Sequence, residues 1–496
     1  MTGTRRGVAG LAVVAAVMIV SLCGVVVARA VVVAPRVREH APPPATITAV
    51  DTAGAAERLA QAVRFKTTAV EGNRSPGAAA FTGLHRFLRQ SYRHAHRALS
   101  REVVGTNSLL YYWGGTDPRL KPILLMAHLD VVPIERGTES AWVEPPFAGR
   151  ISDGHIWGRG TIDDKSAVLA ILEAVDLLVD AGFRPRRTVY LAFGHDEETR
   201  GREGAARIAE LLKSRGVTFE YVLDEGLFIV DGIVPGMARP VAVIGTAEKG
   251  WLTLELRAEG PGGHASIPPP HTAVGALAAA IQRLETNPMP AAINPPVNEF
   301  FLRISPETSW MQRLVFTNLW LFGPAVKYKL GQSPTTNALI RTTSAVTITR
   351  AGTVDNVLPR FATAVVNFRV LPGDTTTTVM DYAQRVVADP TISIEPLKRE
   401  EPSVVSATDS PGFKTITQTI NQLYPEAVVA PGLLPARTDS AHFAEITEAI
   451  FRFRPLRMTP GDVDRIHGTN ERISVDGYAE MIRFYVQLLR NANSGE

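Results

Sequence analysis

Apolar and polar positions divide the chain into an apolar N-terminal run and a long body of strand and helix patterns. The run extends from Val8 to Ala28, directly after Arg5 and Arg6. A helix of this length rises about 30 Å, which is the thickness of the hydrocarbon core of a bilayer. The pattern therefore predicts a membrane-spanning helix at the N-terminus.

A cleaved signal segment is the alternative interpretation of the same run. Ala28-Arg29-Ala30 resembles the small-residue site at which signal peptides are removed. Arginines stand on both sides of the run, so the flanking charge does not fix its orientation. If the N-terminus stays inside, the anchor predicts a single-pass protein of the cell membrane with its body outside the cytoplasm. A cleaved segment predicts a secreted protein.

Short apolar runs alternate with helical patterns in the first part of the body. The runs are typical of buried parallel strands and span residues 121–127, 188–194 and 219–223. Amphipathic helical patterns lie between them, over residues 164–181 and 204–215, and each ends at a glycine. This alternation predicts an α/β domain with a mostly parallel sheet.

The pattern of apolar positions changes at Gly250, where strands with alternating apolar and polar residues begin, as is typical of strands with one face in solvent. Residues 251–257, 345–349, 363–369 and the stretch near 392 have strand character, and helices are expected over 271–284 and 376–387. This order is βαββαβ and predicts a smaller α+β lid domain inserted into the first. The stretch 298–330 is an addition rich in Phe, Leu and Trp. Its apolar part, residues 314–324, is interpreted as core, as the lining of an acyl pocket or as a surface resting on the bilayer.

The expected organisation is therefore a membrane segment followed by a catalytic domain that is interrupted by a lid. Its parts are an N-terminal tail (1–7), a transmembrane anchor or signal segment (8–34), a linker (35–48), a first catalytic part (49–248), an inserted lid or dimerisation-type domain (249–400) and a second catalytic part (401–490).

Composition narrows the possible chemistry of this body. Hydrophobic residues make up 45% of the chain, which is ample for a large core, and the formal net charge is only +3. This balance argues against a nucleic-acid partner. A single cysteine excludes an intrachain disulfide framework and any cysteine-based metal cluster. A metal site would have to use His, Asp and Glu.

Polar side chains follow the predicted strands at the points where they end. His128 and Asp130 follow the first strand, residues 196–198 the second and residues 224–225 the third, while Asp163 and Asp164 open a helix. The carboxyl ends of parallel strands meet at one edge of a sheet, so these groups are expected to lie together. Each feature alone is typical of a helix cap or a solvated turn. Together they form a self-repelling carboxylate cluster, which indicates a divalent cation.

Six motifs in order resemble the dizinc aminoacylase and carboxypeptidase family of metallopeptidases, closest to carboxypeptidase S and the secreted hydrolases of N-acyl amino acids. They cover about residues 50 to 490 and comprise residues 126–133, 157–165, 194–198, 223–226, 262–266 and 466–473.

The resemblance implies a site with two zinc ions, for which Co or Mn could substitute. The implied metal ligands are His128, Asp163 as the bridging group, Glu198, Asp224 and His467, with the order of pairing left open. The resemblance further implies that Glu197 is the general base for a water between the metals and that Asp130 orients His128. It also implies a cis peptide between Asp163 and Asp164.

Three lid residues are implied to contact the substrate. His264 would stabilise the developing oxyanion, and Asn356 and Arg369 would bind the substrate, Arg369 through a free carboxylate. Without the resemblance, His264 is interpreted as an ordinary loop histidine and the other two as polar groups on a sheet face.

The expected function is hydrolysis of an amide to release an amino acid with a free carboxylate. Small peptides and N-acyl amino acids are the expected substrates, and a homodimer is possible. One alternative is a non-catalytic membrane-anchored binding ectodomain of the same fold, although every expected catalytic position is filled. Another is a related deacetylase or β-alanyl dipeptidase.

Overall fold

The three-dimensional structure is a computed structural model that describes residues 2–36, 45, 47–69 and 77–494. Most of the linker expected over residues 35–48 lies outside the described residues.

Helices occupy the N-terminus, both faces of the main sheet and one face of the lid. They are α1 (Thr2–Arg36), α2 (Thr52–Val63), α3 (Ala78–Ser91), α4 (Arg93–Ala98), α5 (Lys165–Asp180), α6 (Ala205–Ser214), α7 (Ala273–Thr286), α8 (Pro295–Ile304), α9 (Trp310–Phe316), α10 (Leu319–Leu330), α11 (Pro334–Ile340), α12 (Thr376–Val387), α13 (Pro411–Leu423), α14 (Pro460–Val463) and α15 (Val475–Asn491).

Strands alternate with these helices along most of the chain. They are β1 (Ser100–Val104), β2 (Ser108–Trp113), β3 (Ile123–His128), β4 (Arg150–Ser152), β5 (His155–Trp157), β6 (Val189–Gly194), β7 (Tyr221–Val230), β8 (Val241–Glu248), β9 (Gly250–Glu259), β10 (Gly263–His264), β11 (Thr343–Ala351), β12 (Val357–Leu358), β13 (Phe361–Val370), β14 (Ile392–Glu400), β15 (Val428–Leu434), β16 (Ile450–Met458) and β17 (Arg472–Ser474).

Local sequence explains where several helices begin. Asp51 caps α2 by accepting the amide of Gly54 at 3.0 Å. Thr272, Ser410 and Ser474 cap α7, α13 and α15 in the same way. A side-chain oxygen at this position satisfies an amide that the first helical turn leaves without a partner.

The main sheet has eight strands in the order β1-β2-β6-β3-β7-β16-β8-β15. Its central strands β6, β3, β7 and β16 run parallel, whereas β1 and β2 add an antiparallel edge. Strand β3 is buried at every position, as the continuous apolar run predicts. The predicted α/β fold with a mostly parallel sheet is therefore confirmed, with antiparallel pairing towards the edges.

The inserted stretch forms a second, four-stranded antiparallel sheet in the order β11-β13-β9-β14. Helices α7 and α12 pack on one face of this sheet and bury alternate residues of β9 and β13. The chain enters through Glu248, Lys249 and Gly250 and leaves after Glu400. The two crossings touch, because a side-chain carbon on Gly250 would lie 2.5 Å from the backbone nitrogen of Pro402.

Helices α8 to α11 do not belong to the core of this small sheet. Val297, Phe301 and Ile304 of α8 pack against Val241 of β8 and Ala430 of β15, at the edge of the main sheet. Leu319, within residues 314–324, belongs to the same buried cluster, whereas Trp320 and Leu321 beside it are exposed. Residues 314–324 are therefore only partly core, which was one of their three interpretations.

Helix α1 contains one stretch, Val13–Val33, that is long and apolar enough to cross a membrane by length and composition. Most of the stretch is exposed, but Val26 and Ala30 are buried. They face the α8–α10 region, which gives α1 a one-sided contact with the folded body.

Candidate active site

One cluster of potential metal ligands joins the end of β3 and the middle of β7 to the loop before α5, because β7 continues to Val230 instead of ending before Asp224. His128 ends β3, and its Nε2 lies 3.0 Å from Asp163 Oδ1 and 3.4 Å from Glu225 Oε1. One ligand atom from each of these residues lies within 4.8 Å of the others. The peptide between Asp163 and Asp164 is cis, as the resemblance implied.

A second cluster shares Asp163 and uses the turn after β6 and the loop before β17. His467 Nε2 lies 3.1 Å from Asp163 Oδ2 and 3.3 Å from Glu198 Oε2. These three residues also satisfy the 4.8 Å limit. The two oxygens of Asp163 thus face different clusters, which is the arrangement required of a carboxylate that bridges two cations.

Asp130 contacts both His128 and the turn that carries Glu197 and Glu198. Its two carboxylate oxygens accept the backbone amides of Glu197 and Glu198, at 3.2 and 3.1 Å. The same carboxylate lies 3.3 Å from Nδ1 of His128. Asp130 is fully buried, so it orients both the histidine and the turn that carries the two glutamates.

Asp224, expected from the sequence as a ligand, belongs to neither cluster that contains Asp163. Its carboxylate accepts the backbone amides of Glu225 at 2.9 Å and Ser440 at 2.8 Å. The neighbouring Glu225 is the residue that faces His128 and Asp163. Adjacent strand residues point to opposite faces, so only one of the two can enter the cluster.

Sequence reasoning also missed Arg454, a cation buried inside the carboxylate cluster. Its guanidinium lies 2.7 Å from Asp164 and 3.5 Å from Asp163, and it pairs closely with Glu225. The signal was Phe-Arg-Phe-Arg in strand β16, because two arginines in a buried strand require buried anionic partners. The other arginine, Arg452, pairs with Glu248 at 3.0 Å with both side chains fully buried.

Glu471 is a further missed residue, and it holds two loops of the site in place. Its Oε1 accepts the backbone amides of Gly160, Ile162 and Asp163 at 2.7 to 3.1 Å. Its other oxygen pairs with Arg159 at 2.6 Å. This carboxylate therefore fixes the loop of Asp163 against the loop that carries His467.

Burial and mutual repulsion perturb the ionisation of the cluster. Burial raises the pKa of Glu198 to about 7 and raises that of Glu197 well above its usual range. Hydrogen bonds that His467 donates to Asp163 and Glu198 raise the pKa of His467 to about 10. Burial alone would lower the pKa of His128, but the surrounding carboxylates raise it. The carboxylates of the cluster therefore outnumber its buried cation Arg454, and some of them retain protons.

A cavity of about 570 Å³ opens onto the cluster. Its wall is partly acidic, partly apolar and partly cationic. It includes the metal-ligand candidates Asp163, Glu198, Glu225 and His467, the apolar Leu227, Phe228, Leu434 and Ile466, and the cations Arg200, Arg369, Lys398 and Arg437. Both domains contribute, since Arg369 and Lys398 come from the lid.

Trp251 organises the cationic part of the wall. The guanidinium of Arg369 lies 3.5 Å from the centre of its ring, and the ammonium of Lys398 lies 4.1 Å from it. Glu400 pairs with Lys398 at 3.1 Å and with Arg437 at 3.2 Å. Burial lowers the pKa of Arg369 to about 10, so the residue stays charged at neutral pH.

The structure does not bring His264 and Asn356 into this cavity. Both are exposed and lie together at the small β10–β12 ladder, where Ala265 donates its amide to the carbonyl of Asn356 at 3.0 Å. His264 Nδ1 accepts the amide of Ser266 at 3.1 Å. Of the three lid residues expected to contact substrate, only Arg369 lines the cavity.

Comparison with known proteins shows the family to which this chain belongs. Residues 124–491 match the sequence profile described as peptidase family M20/M25/M40. The N-fatty-acyl-amino acid synthase/hydrolase PM20D1 of Xenopus tropicalis is 43% identical over 398 residues, which cover 80% of this chain and 77% of that protein. The probable carboxypeptidase S-like 2 of Dictyostelium discoideum is 41% identical over 444 residues, which cover 88% and 84%.

The crystal structure of an M20 family metallo-carboxypeptidase, Sso-CP2 from Sulfolobus solfataricus, has the same fold. It aligns with a TM-score of 0.64 at 17% identity, over 90% of this chain and 100% of that one. The family inferred from the motifs is thereby confirmed. The chain belongs to peptidase family M20/M25/M40 and is an enzyme of the metallopeptidase and aminoacylase type.

Proposed function

We propose that this chain is a zinc-dependent hydrolase of N-acyl amino acids and small peptides that releases an amino acid with a free carboxylate. One observation carries the proposal: a single cavity is bordered by the two ligand clusters and by the cation of Arg369. A metal site and a carboxylate-binding site are thus available to the same substrate.

The donor set fits two zinc ions. Imidazole nitrogen and carboxylate oxygen are ordinary zinc ligands, and the clusters His128–Asp163–Glu225 and Asp163–Glu198–His467 each supply three. Glu198 Oε1 is buried without a hydrogen-bond partner, as a metal-ligand atom would be. Zinc bound there would supply a Lewis acid for the amide carbonyl and for water.

Glu197 moves the proton in this proposal. It stands beside Glu198 in the turn after β6, lines the cavity and groups with His128. Its carboxylate takes a proton from the attacking water and returns it to the leaving nitrogen of the amide. Asp130 holds the backbone amide of Glu197 at 3.2 Å, which positions this base.

The amino acid part of the substrate is bound by its carboxylate at Arg369. The guanidinium offers a planar pair of donors, and its stacking on Trp251 fixes the plane. The acyl part lies against the apolar wall formed by Leu227, Phe228, Leu434 and Ile466. This wall favours an apolar acyl group, in line with the named activity of the Xenopus relative.

The enzyme is held at the membrane by α1 as an uncleaved anchor, with the catalytic domain outside the cytoplasm. Support comes from the far end of the helix, where Asn318 donates its side-chain amide to the carbonyl of Val26 at 3.1 Å. Asn318 is fully buried, so cleavage of α1 would leave a buried donor with one partner fewer.

The test is hydrolysis of a panel of dipeptides and N-acyl amino acids by the zinc-loaded full chain and by Glu197→Gln. Loss of a general base should lower kcat about 10² to 10⁴-fold while zinc content stays constant. The exposed Glu210→Gln is the matched control and should behave like the unmodified chain. Full turnover by a zinc-replete Glu197→Gln enzyme would refute the assigned base.

Arg369→Ala tests the carboxylate site separately. A lost charge-assisted hydrogen bond costs about 1.5 to 3 kcal/mol, so KM should rise about tenfold to a hundredfold for free acids. An amidated analogue should be affected little, since its partner charge is absent. Arg257, an exposed lid arginine stacked on Phe361, provides the control Arg257→Ala. Equal losses for the acid and its amide would assign Arg369 a structural role.

A further inference from the structure

Helices α9 and α10 expose a group of large apolar and aromatic side chains on one surface. This surface, the α9–α10 face, comprises Trp310, Met311, Trp320, Leu321 and Tyr328, whose exposed fractions range from 37% to 73%. On α10, Leu321 and Tyr328 are seven residues apart, a spacing that places them on one side of the helix. A concentrated apolar surface of this kind marks a binding site more often than chance exposure does.

The charged side chains of the same segment are all basic. Residues 308–354 contain no Asp or Glu, while α9 and α10 carry Arg313, Lys327 and Lys329. The guanidinium of Arg313 lies 6.0 Å from the ring of Trp310. Tryptophan and tyrosine are enriched at the membrane–water interface, and basic side chains bind anionic headgroups. The face has the composition of a surface that lies on a bilayer.

Helix α1 reaches the body of the protein at this face. Asn318, between α9 and α10, donates to the carbonyl of Val26 and accepts the indole N–H of Trp320 at 3.1 Å. Arg29 donates to the carbonyl of Thr317 at 3.1 Å. The segment long enough to span a membrane is thus joined, through one asparagine, to an exposed tryptophan of the α9–α10 face.

We infer that the α9–α10 face lies in the headgroup region of an anionic lipid bilayer, beside the point where α1 leaves it. This inference rests on the proposed retention of α1 as an anchor. Trp310, Trp320 and Tyr328 occupy the interface, and Lys327 and Lys329 extend to the phosphates. Because α8 packs on β15, this contact sets the orientation of the catalytic sheet relative to the membrane.

The test measures the depth of single labelled positions in the full chain. Cys23 is the only cysteine, so Cys23→Ser gives a background for Met311→Cys or Tyr328→Cys carrying a fluorescent label. The control is Ile267→Cys on the lid, where the side chain is 83% exposed. Each protein is inserted into vesicles of phosphatidylcholine and phosphatidylglycerol and titrated with iodide and with headgroup-spin-labelled lipid.

We expect labels at positions 311 and 328 to be quenched several-fold less by iodide, and several-fold more by the spin-labelled lipid, than the label at 267. Charge reversal by Lys327→Glu with Lys329→Glu should reduce this difference in anionic vesicles and leave it unchanged in phosphatidylcholine alone.

Two failures are distinguishable. If alkaline carbonate extracts the chain from the vesicles, the anchor itself is wrong. If the chain remains integrated but position 328 is as open to iodide as position 267, the face does not contact lipid and the inference is overturned. Protection that persists in detergent and grows with protein concentration would assign the face to a second copy of the chain and would equally overturn it.

Discussion

The neighbouring residues Asp224 and Glu225 offer a sharp test of the metal site. Both are acidic, both are in β7, and they differ by one position in the strand. Glu225 Oε1 faces His128 at 3.4 Å, whereas Asp224 is held by the backbone amides of Ser440 and Glu225. The pair Glu225→Gln and Asp224→Asn therefore removes one charge each from almost the same place, with opposite expected consequences.

Glu225→Gln should empty one of the two zinc sites. Groups that merely orient a metal ligand contribute about tenfold to a hundredfold in affinity, so loss of a ligand should exceed a hundredfold, or about 2.7 kcal/mol. With free zinc buffered at about a hundred times the normal dissociation constant, that site falls below half occupancy. Measured zinc should then drop from two ions per chain towards one, with activity falling in parallel.

Asp224→Asn should keep both ions and lose stability instead. Asp224 is only 3% exposed, and the new amide can accept at one oxygen where the carboxylate accepted at two. A buried amide that loses its acceptor costs about 1 to 3 kcal/mol. Plasma mass spectrometry of the metal and thermal unfolding measure the two effects separately. Retained zinc in Glu225→Gln together with lost zinc in Asp224→Asn would refute the geometry described above.

Three further predictions follow from the same structure. His264 lies outside the cavity of its own chain, so it can stabilise the oxyanion only from a second copy of the chain. On that basis His264→Ala should lower kcat at normal zinc content, and mixing it with Glu197→Gln should restore turnover; an inactive mixture would contradict that exchange. Zinc binding must displace protons from Glu198, whose pKa is about 7, and from His467, whose pKa is about 10. In a competition titration the zinc affinity should therefore rise at least about tenfold per pH unit between pH 7 and pH 10, and more steeply below about pH 7. A zinc affinity that does not change with pH would contradict this prediction. Removal of residues 1–40 should give a soluble, active enzyme that is about 1 to 3 kcal/mol less stable, through loss of the bonds from Asn318 to Val26 and from Arg29 to Thr317; loss of activity in the folded, zinc-replete protein would contradict a purely anchoring role.

Regular patterns in the sequence were sufficient to predict most of the fold. Helix α12 occupies the predicted residues 376–387, and α5 and α6 differ from prediction by one residue at each end. All three helices are fixed by local apolar periodicity, and α5 and α6 also by the glycines that follow them, Gly182 and Gly216. The strands of the lid sheet were predictable in the same way, because residues of β9 are alternately buried and more exposed, as the alternation of apolar and polar residues in its sequence predicts.

The directions of the side chains at the site were not predictable to the same degree. Leu-Asp-Glu-Gly in β7 offers two carboxylates, and sequence alone does not tell which one faces His128. The distinction depends on the pairing of β7 with its neighbours and on Ser440, which lies 216 residues further along the chain and holds Asp224. The same holds for His264 and Asn356, whose place outside the cavity depends on how the lid packs.

The most distant contacts are those that complete the metal site, and this has a consequence for folding. Glu471 binds the amide of Asp163 across 308 residues, and this bond brings His467 to the shared carboxylate. The cluster His128–Asp163–Glu225 lies within the first part of the catalytic domain, but the cluster Asp163–Glu198–His467 cannot form until the last part has joined it. Because zinc at the second cluster would bind only this joined state, it would stabilise the whole catalytic domain rather than one loop. At free zinc of about a hundred times the dissociation constant, that site would add about 2.7 kcal/mol. Chelation should therefore lower the unfolding temperature of the entire catalytic domain in one cooperative transition, whereas melting of the His467 loop alone would show that the two parts join independently of the metal.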